Sequence, residues 1–98
     1  MATTSILELH LKPDAVEEGL AVVHRILGET RAFEGCLGVS VIQDSADPAH
    51  IVAIERWESP ERDAAYREWR AGDGAAPELA EAITAPPGLT VGVPREDI

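Results

Sequence analysis

The sequence predicts an α+β fold in which a four-stranded antiparallel sheet packs against two long helices. Three observations predict this fold. Short segments alternate between apolar and polar residues, as strands do, and longer segments repeat apolar residues every three or four positions, as helices do. Proline, glycine and aspartate separate these segments. Ninety-eight residues suffice for one domain, and we assign residues 1–98 to it.

The first strand and the first helix have clear apolar faces. Over Ser5–Lys12, alternate positions place three leucines on one face: Leu7, Leu9 and Leu11. Pro13 ends this strand, and Asp14 with Glu17 three residues later predicts a capping box at the start of a helix. The helix has an apolar stripe formed by Val16, Leu20, Val23 and Leu27. His24 flanks that stripe, so it is a candidate for the edge of the core or for a ligand pocket.

The middle of the chain predicts a hairpin followed by the second long helix. A strand over residues 37–42 and a strand beginning at Ile51 are separated by a turn-rich segment, so the two strands are expected to pair in antiparallel fashion. Ser59 and Pro60 then begin the helix. A serine hydroxyl can accept a free backbone N–H at that position, and proline lacks the N–H that would have no partner there.

The end of the chain predicts a short helix beginning at Pro77 and a last strand with alternating apolar residues: Leu89, Val91 and Val93. The element order is therefore βαββαβ with one extra short helix, which is the order of the ferredoxin-like architecture. That architecture places both long helices on one face of the sheet and leaves the other face open. Because a domain this small buries only a modest core, we expect a second copy of the chain to cover the open face, giving a homodimer.

The charge of the chain excludes two classes of partner. Its formal net charge is −10, and its eight lysine and arginine residues form no run. Nucleic acids and anionic membrane surfaces are bound through clustered basic residues, so neither is expected as a partner. No apolar segment approaches the roughly 18 residues that a membrane-spanning helix needs.

Cysteine content and the first residues predict the location of the protein. Cys36 is the only cysteine, so no internal disulfide is expected, and no Cys/His cluster has the spacing of a metal site. Residues 1–5 are without positive charge and run into a strand pattern, unlike a secretory leader. These features predict a cytoplasmic protein with no bound metal.

Three of the four aromatic residues converge on one corner of the predicted fold. Trp57 lies at the end of a strand, and Tyr66 and Trp69 lie three residues apart on one face of the helix that follows. Aromatic side chains commonly fill the core between a helix and a sheet. They can equally form a flat-walled pocket for an aromatic or polyketide-like ligand, and their spacing does not separate the two interpretations.

Five short segments resemble a known family in their order and spacing: Lys12-Pro13, Phe33–Leu37, Asp47-Pro48, Glu55–Ser59 and Ala85–Pro87. Together they are similar to the antibiotic biosynthesis monooxygenase domain, a member of the dimeric α/β barrel group, and the likeness extends over nearly the whole chain. The resemblance implies a ferredoxin-like monomer whose sheet packs against the sheet of a second copy to form an α/β barrel.

The resemblance also implies a chemistry and a set of site residues. Members of the family oxygenate anthrones, naphthacenones or quinols with dioxygen and with no metal or organic cofactor. By resemblance, Trp57 occupies the position of the family's pocket tryptophan. We therefore expect no cofactor and a small aromatic, polyketide-like or quinol substrate, with Trp57 and Tyr66 as catalytic hydrogen-bonding residues. Four further residues are expected in the substrate pocket: Trp69, Phe33, Ala53 and His24.

Two departures from the family pattern favour a different hypothesis. Ala53 lies where some oxygenating members have an amide side chain, four residues before the tryptophan. Tyr66 lies where many relatives have a histidine, and without such an axial ligand haem degradation is not expected. The alternative hypothesis is a non-catalytic homodimer that binds a small molecule or acts as a scaffold. The concentration of aromatic residues at one corner favours the enzyme.

Overall fold

Residues 2–98 are described by a computed structural model, and Met1, the first residue of the predicted domain, lies outside the described part. Four strands and three helices follow one another: β1 (Thr3–His10), α1 (Val16–Ala32), β2 (Cys36–Gln43), β3 (His50–Trp57), α2 (Pro60–Arg70), α3 (Pro77–Ala82) and β4 (Gly88–Gly92). The predicted βαββαβ order with one short extra helix is confirmed. Within residues 2–98, no helix combines the length and the apolar character needed to cross a membrane.

The strands form one antiparallel sheet in the order β2-β3-β1-β4, which confirms the predicted fold class. Leu7 of β1 lies opposite Ala53 of β3 on one side and opposite Leu89 of β4 on the other. Residues paired in this way point to the same face of the sheet. On this face α1 covers β1 and β3, and the buried core residues come from both layers: Leu9, Leu11, Val23, Leu27, Ala49, Ile51 and Ala53.

The second long helix covers the same face of the sheet. Asp63 of α2 accepts a hydrogen bond from Ser5 of β1, and Arg67 of α2 donates to Glu55 of β3. Ser5 and Glu55 are paired across the two strands and lie two residues from Leu7 and Ala53, so all four point toward the helices. Both long helices therefore lie on one side, as the ferredoxin-like order predicts.

The two long helices begin differently. In α2, the Ser59 hydroxyl accepts from the backbone N–H of Arg62 at 3.2 Å, and Pro60 follows it, as predicted. The predicted capping box at Asp14 is wrong: α1 is preceded by Ala15, and no side chain caps it. A backbone hydrogen bond from Ala15 to the carbonyl of Lys12, at 3.0 Å, turns the chain first. Asp14 therefore lies one residue too early to reach the free N–H groups.

The opposite face of the sheet is open in the single chain. Ile6 of β1 is 38% exposed and Ile42 of β2 is 54% exposed, while Val52 and Ile54 of β3 are half-buried. Alternation along β1 places Ile6 on the side away from the helices. The open face thus presents apolar side chains that one chain leaves uncovered.

One end of the open face holds a histidine with two acidic neighbours. The imidazole nitrogens of His50 lie 2.9 Å from a carboxylate oxygen of Asp44 and 2.9 Å from one of Glu8. The His50 ring also stacks on His10, with 4.7 Å between the ring centroids. The hydrogen bond to Asp44, followed by the one to Glu8, raises the pKa of His50 above its usual value.

Candidate functional site

All four aromatic side chains of the chain form one cluster, which we call the aromatic cluster: Phe33, Trp57, Tyr66 and Trp69. The rings of Trp57 and Tyr66 have centroids 4.9 Å apart, and Phe33 lies 5.3 Å from Tyr66 and 5.2 Å from Trp69. Offset and edge contacts at these distances stabilise a packed arrangement of rings. The convergence predicted for three aromatics from the sequence thus includes the fourth, Phe33, which directly follows α1.

Within this cluster, Trp57 is completely buried, with 0% of its surface exposed. Its indole Nε1–H donates to Oε1 of Glu55 at 3.1 Å. The N–H that was predicted to face a substrate therefore has a partner inside the protein. In this arrangement Trp57 orients Glu55 and supports the ring of Tyr66.

Two buried carboxylates and one guanidinium group lie beside Trp57. Arg67 Nη2 donates to Glu55 Oε1 at 2.5 Å and lies 3.1 Å from Asp63 Oδ1. Asp63 also accepts from the hydroxyl of Ser5 at 2.9 Å. Buried charges are tolerated where they are paired, and Arg67 is the cation that pairs with Glu55, which is 0% exposed. We call Ser5, Glu55, Asp63 and Arg67 the buried charge cluster.

Tyr66 is fixed at its ring and at its hydroxyl group. Its oxygen lies 2.6 Å from Thr30 Oγ1 and accepts from Arg70 Nε at 2.8 Å. The hydroxyl proton of Thr30 is donated to the carbonyl of Ile26, at 3.2 Å. The hydroxyl group of Tyr66 is therefore the donor in its hydrogen bond with Thr30. The guanidinium carbons of Arg67 and Arg70 lie 4.9 Å and 5.2 Å from the centre of the Tyr66 ring, within cation–π range.

Arg70 is held by the helices around it. Its Nη1 donates to Glu29 at 3.0 Å and to the carbonyl of Gly74 at 3.1 Å, and its Nη2 donates to the carbonyl of Ile26 at 2.9 Å. Together with the bond to Tyr66, these contacts engage all three guanidinium nitrogens. Arg70 therefore ties α1 to the end of α2 and to the segment that leads to α3.

A cavity of about 270 Å³ lies between the helices and β1, and Tyr66, Arg67 and Arg70 line it on one side. Its remaining walls are apolar: Leu7, Ile26, Leu27, Ala76, Leu79, Ala80, Ile83 and Pro87. Ligand pockets commonly combine apolar walls with a few polar groups that orient the ligand. The volume lies just below the roughly 300–1,000 Å³ typical of such pockets, so the cavity suits a small ring compound.

Of the six residues predicted for the site, only Tyr66 lines the cavity. Tyr66 lines it, whereas Trp57, Phe33 and Trp69 lie behind Tyr66 in the aromatic cluster and are not part of the wall. These three residues shape the cavity through the ring they support.

Ala53 and His24 lie away from the cavity. Ala53 is 0% exposed and belongs to the hydrophobic core under α1, because it points inward from the middle of β3. His24 is exposed on α1, since its neighbours Val23 and Leu27 take the face toward the sheet. Neither residue takes the pocket position that was expected for it.

The sequence interpretation missed the charged residues of the site: Glu55, Asp63, Arg67 and Arg70. Two patterns concern three of these residues, and only the first of them indicates burial. Alternation along β3 puts Glu55 on the same face as Ala53 and Trp57, and a glutamate on a buried face needs a cation. On α2, Asp63 and Arg67 are four apart, which places them together on one side of the helix. Within residues 2–98, no three histidine, cysteine, aspartate or glutamate side chains come together as metal ligands.

This fold and this cavity define a ferredoxin-like α+β protein with a small ligand-sized space between its helices and its sheet. The model of the antibiotic biosynthesis monooxygenase family matches residues 3–85, and the chain belongs to this family. A search of curated proteins found no match.

Solved structures of similar proteins have the same fold. SnoaB of Streptomyces nogalater, a cofactor-independent oxygenase, is 17% identical, with a TM-score of 0.80 and coverage of 97% of this chain and 94% of that one. Rv0793 of Mycobacterium tuberculosis is 22% identical, with a TM-score of 0.75 and coverage of 98% and 97%. A conserved protein of Methanosarcina mazei Go1 is 20% identical, with a TM-score of 0.79 and coverage of 93% and 90%. At these identities the likeness establishes the fold alone.

Proposed function

We propose that this chain is a monooxygenase that oxidises a small aromatic, polyketide-like or quinol substrate with dioxygen and without a metal or organic cofactor. One observation supports this function most: the apolar cavity with Tyr66, Arg67 and Arg70 along one side, in a member of the antibiotic biosynthesis monooxygenase family. We further propose that the protein works in the cytoplasm as a homodimer.

The proposed reaction requires few catalytic groups from the protein. For an anthrone, a ring CH₂ group loses a proton, and the resulting carbanion gives one electron to dioxygen. The substrate radical and superoxide then recombine to a peroxide, which takes up the proton and loses water. The CH₂ group becomes a carbonyl, one oxygen atom of O₂ enters the product and the other leaves as water. An apolar cavity with fixed hydrogen-bond donors favours this sequence, because apolar walls reduce the contact of the substrate with water and the donors stabilise charge on the substrate oxygen.

The residues have distinct parts in this proposal. Tyr66 forms part of the cavity wall beside the bound ring, and its hydroxyl is oriented by Thr30 and Arg70. Trp57 is a positioning residue, because its indole N–H is donated to Glu55 and its ring lies under Tyr66. A direct bond from Trp57 to the substrate requires that the bond to Glu55 first break.

The experiment is oxygen uptake by chelator-treated protein against anthrones, hydroquinones and flavonols, with boiled protein as the blank. We expect uptake above the blank for one ring system, and a product that contains one atom from labelled dioxygen. Absence of uptake across the panel, in a sample that binds these compounds in the cavity, contradicts the proposal.

A non-catalytic ligand-binding or scaffolding homodimer remains the second candidate. The observation that favours it is that the indole N–H of Trp57 and the hydroxyl of Tyr66 both have protein partners. Ala53 also lacks the amide that some family members have at that position. Tight binding of an anthrone without oxygen uptake is the result that this candidate predicts.

A further inference from the structure

We infer that the cavity binds its ligand as an anion, through an ionised phenol, enol or carboxylate oxygen held by Arg67. The inference rests on the proposed function in that it takes the cavity to be the substrate site. It adds the substrate class, which is an acidic ring compound that has already lost its proton in solution.

The first argument is the unequal use of the donors of Arg67. Its Nη2 faces the two buried carboxylates, at 2.5 Å from Glu55 and 3.1 Å from Asp63. Its Nε is buried and has no hydrogen-bond partner among residues 2–98, and the same holds for Oε2 of Glu55. A buried N–H group without an acceptor is costly, so an acceptor atom brought by a ligand is favoured beside this guanidinium. Arg70 differs, because protein oxygens engage all of its nitrogens.

The second argument is the composition of the cavity wall. Two guanidinium groups line it, and no carboxylate and no imidazole of the described residues 2–98 does. Glu55 and Asp63 lie behind Arg67 and outside the wall. The wall therefore presents guanidinium N–H donors to a ligand, and within residues 2–98 it offers no carboxylate or imidazole that could take a proton from a neutral substrate. A substrate that arrives ionised needs no such base.

The third argument is that Arg67 is held in place before the ligand arrives. Two carboxylates fix one end of its guanidinium, and its face lies 4.9 Å from the centre of the Tyr66 ring. A donor that is already oriented loses little freedom on binding, and a charge-assisted hydrogen bond is stronger than a neutral one. The chain as a whole has a net charge of −10, so any preference for an anion has a local origin.

One kinetic consequence follows. The rate at low substrate concentration should rise with pH through the pKa of the substrate, and the inflection should move when a substrate of different acidity is used. A base in the protein would instead hold the inflection at one pH for every substrate.

The experiment compares two probes of the same shape, naphthoate and its neutral isostere naphthamide, by calorimetric titration at neutral pH. We expect the wild-type protein to bind naphthoate at least about tenfold more tightly, as one charge-assisted hydrogen bond provides. Chemical-shift changes at Leu7, Leu79 and Ile83 locate both probes in the cavity.

Variants then assign the preference to Arg67. Arg67→Gln alone leaves Glu55 and Asp63 without their cation and can unfold the protein. The test variant therefore combines Arg67→Gln with Glu55→Gln, which keeps a neutral hydrogen bond, while Asp63 keeps its hydrogen bond from Ser5. We expect this double variant to bind both probes equally. The matched control is Arg62→Gln on the same helix, whose ion pair with Glu34 is exposed and does not line the cavity; it should keep the wild-type preference.

Each outcome has a separate meaning. Equal binding of the probes to the wild type, or an unchanged preference in the double variant, overturns the inference and leaves the cavity as a site. Failure of both probes to bind in the cavity overturns the inference and the proposed site together. A preference for naphthoate without oxygen uptake in any assay supports the inference and contradicts only the proposed catalysis.

Discussion

Strands β1 and β3 contribute to both faces of the sheet, and one chain buries their residues on the helix face more completely than their residues on the open face. On the helix side, Ser5 and Glu55 are buried and bonded to Asp63 and Arg67. Ile6, the residue that follows Ser5 in β1, lies on the open face and is 38% exposed. The comparison teaches that one chain brings together the residues of the candidate site, whereas it leaves apolar residues of the open face uncovered. Chemistry and assembly should therefore respond to different substitutions.

The largest expected effect is on the helix side, at Arg67. Arg67→Met leaves the fully buried Glu55 and the neighbouring Asp63 without their cation. Breaking a buried ion pair by removing one partner costs about 3–5 kcal/mol of unfolding free energy. The control, Arg62→Met, breaks an exposed pair with Glu34, for which about 0–1 kcal/mol is expected. Urea unfolding measures both, and equal losses would show that the buried charge cluster is unimportant for stability.

Next in size is the effect of Trp57→Phe, which removes the indole N–H bonded to Glu55. An acceptor left with fewer partners in a buried site costs about 1–3 kcal/mol of unfolding free energy. If Trp57 only positions its neighbours, kcat for a substrate found in the oxygen-uptake panel changes little. A loss in kcat of about a hundredfold, with the fold intact, would assign a direct substrate contact to Trp57.

The open face is tested by Ile6→Asp. In a homodimer that pairs the two open faces, this change buries a carboxylate in the interface, and like charges from two subunits oppose each other there. The dimer dissociation constant should rise by about tenfold or more. Ile98→Asp is the matched control, because Ile98 is 96% exposed in the last residues of the chain. Sedimentation measures the oligomeric state, and an unchanged dimer in Ile6→Asp would place the interface elsewhere.

The smallest effect concerns His50 at the end of the open face. Since Asp44 and Glu8 raise the pKa of His50 in the folded protein, protonation of His50 stabilises the fold. This contribution is fully present below the unfolded value, about 6.5, and is lost as pH rises through the higher folded value. The stability of the wild type should therefore decline slightly over this range relative to His50→Gln. Thermal unfolding at a series of pH values measures this, and parallel profiles would exclude the contribution.

The fold was predictable from the sequence because its information is local and periodic. Alternation in β1, helical spacing in α1 and the Ser59-Pro60 start of α2 are each confirmed by the structure. The predicted cap of α1 at Asp14 is wrong, because the capping-box pattern does not show that the backbone turns between Lys12 and Ala15 before the helix begins.

The site was predictable only in part. Aromatic residues three apart on a helix after a tryptophan indicate convergence, and the aromatic cluster forms. The same pattern does not say which ring faces a cavity, and here only Tyr66 does. Charged pairs four apart on a helix are usually exposed, so nothing local distinguishes Asp63 and Arg67 from a surface pair. The partner of Arg67, Glu55, lies on another element, the preceding strand β3, so the spacing within α2 does not reveal it.

The most direct test of the central claim is oxygen uptake by two neighbouring alanine variants of the chelator-treated protein. Ala76→Phe places a ring in the cavity, which Ala76 lines, while Ala75→Phe places the same ring on an exposed residue that does not line it. If the cavity is the substrate site, Ala76→Phe abolishes uptake of an active substrate and Ala75→Phe retains the wild-type rate. Equal rates in the two variants would show that the reaction takes place elsewhere.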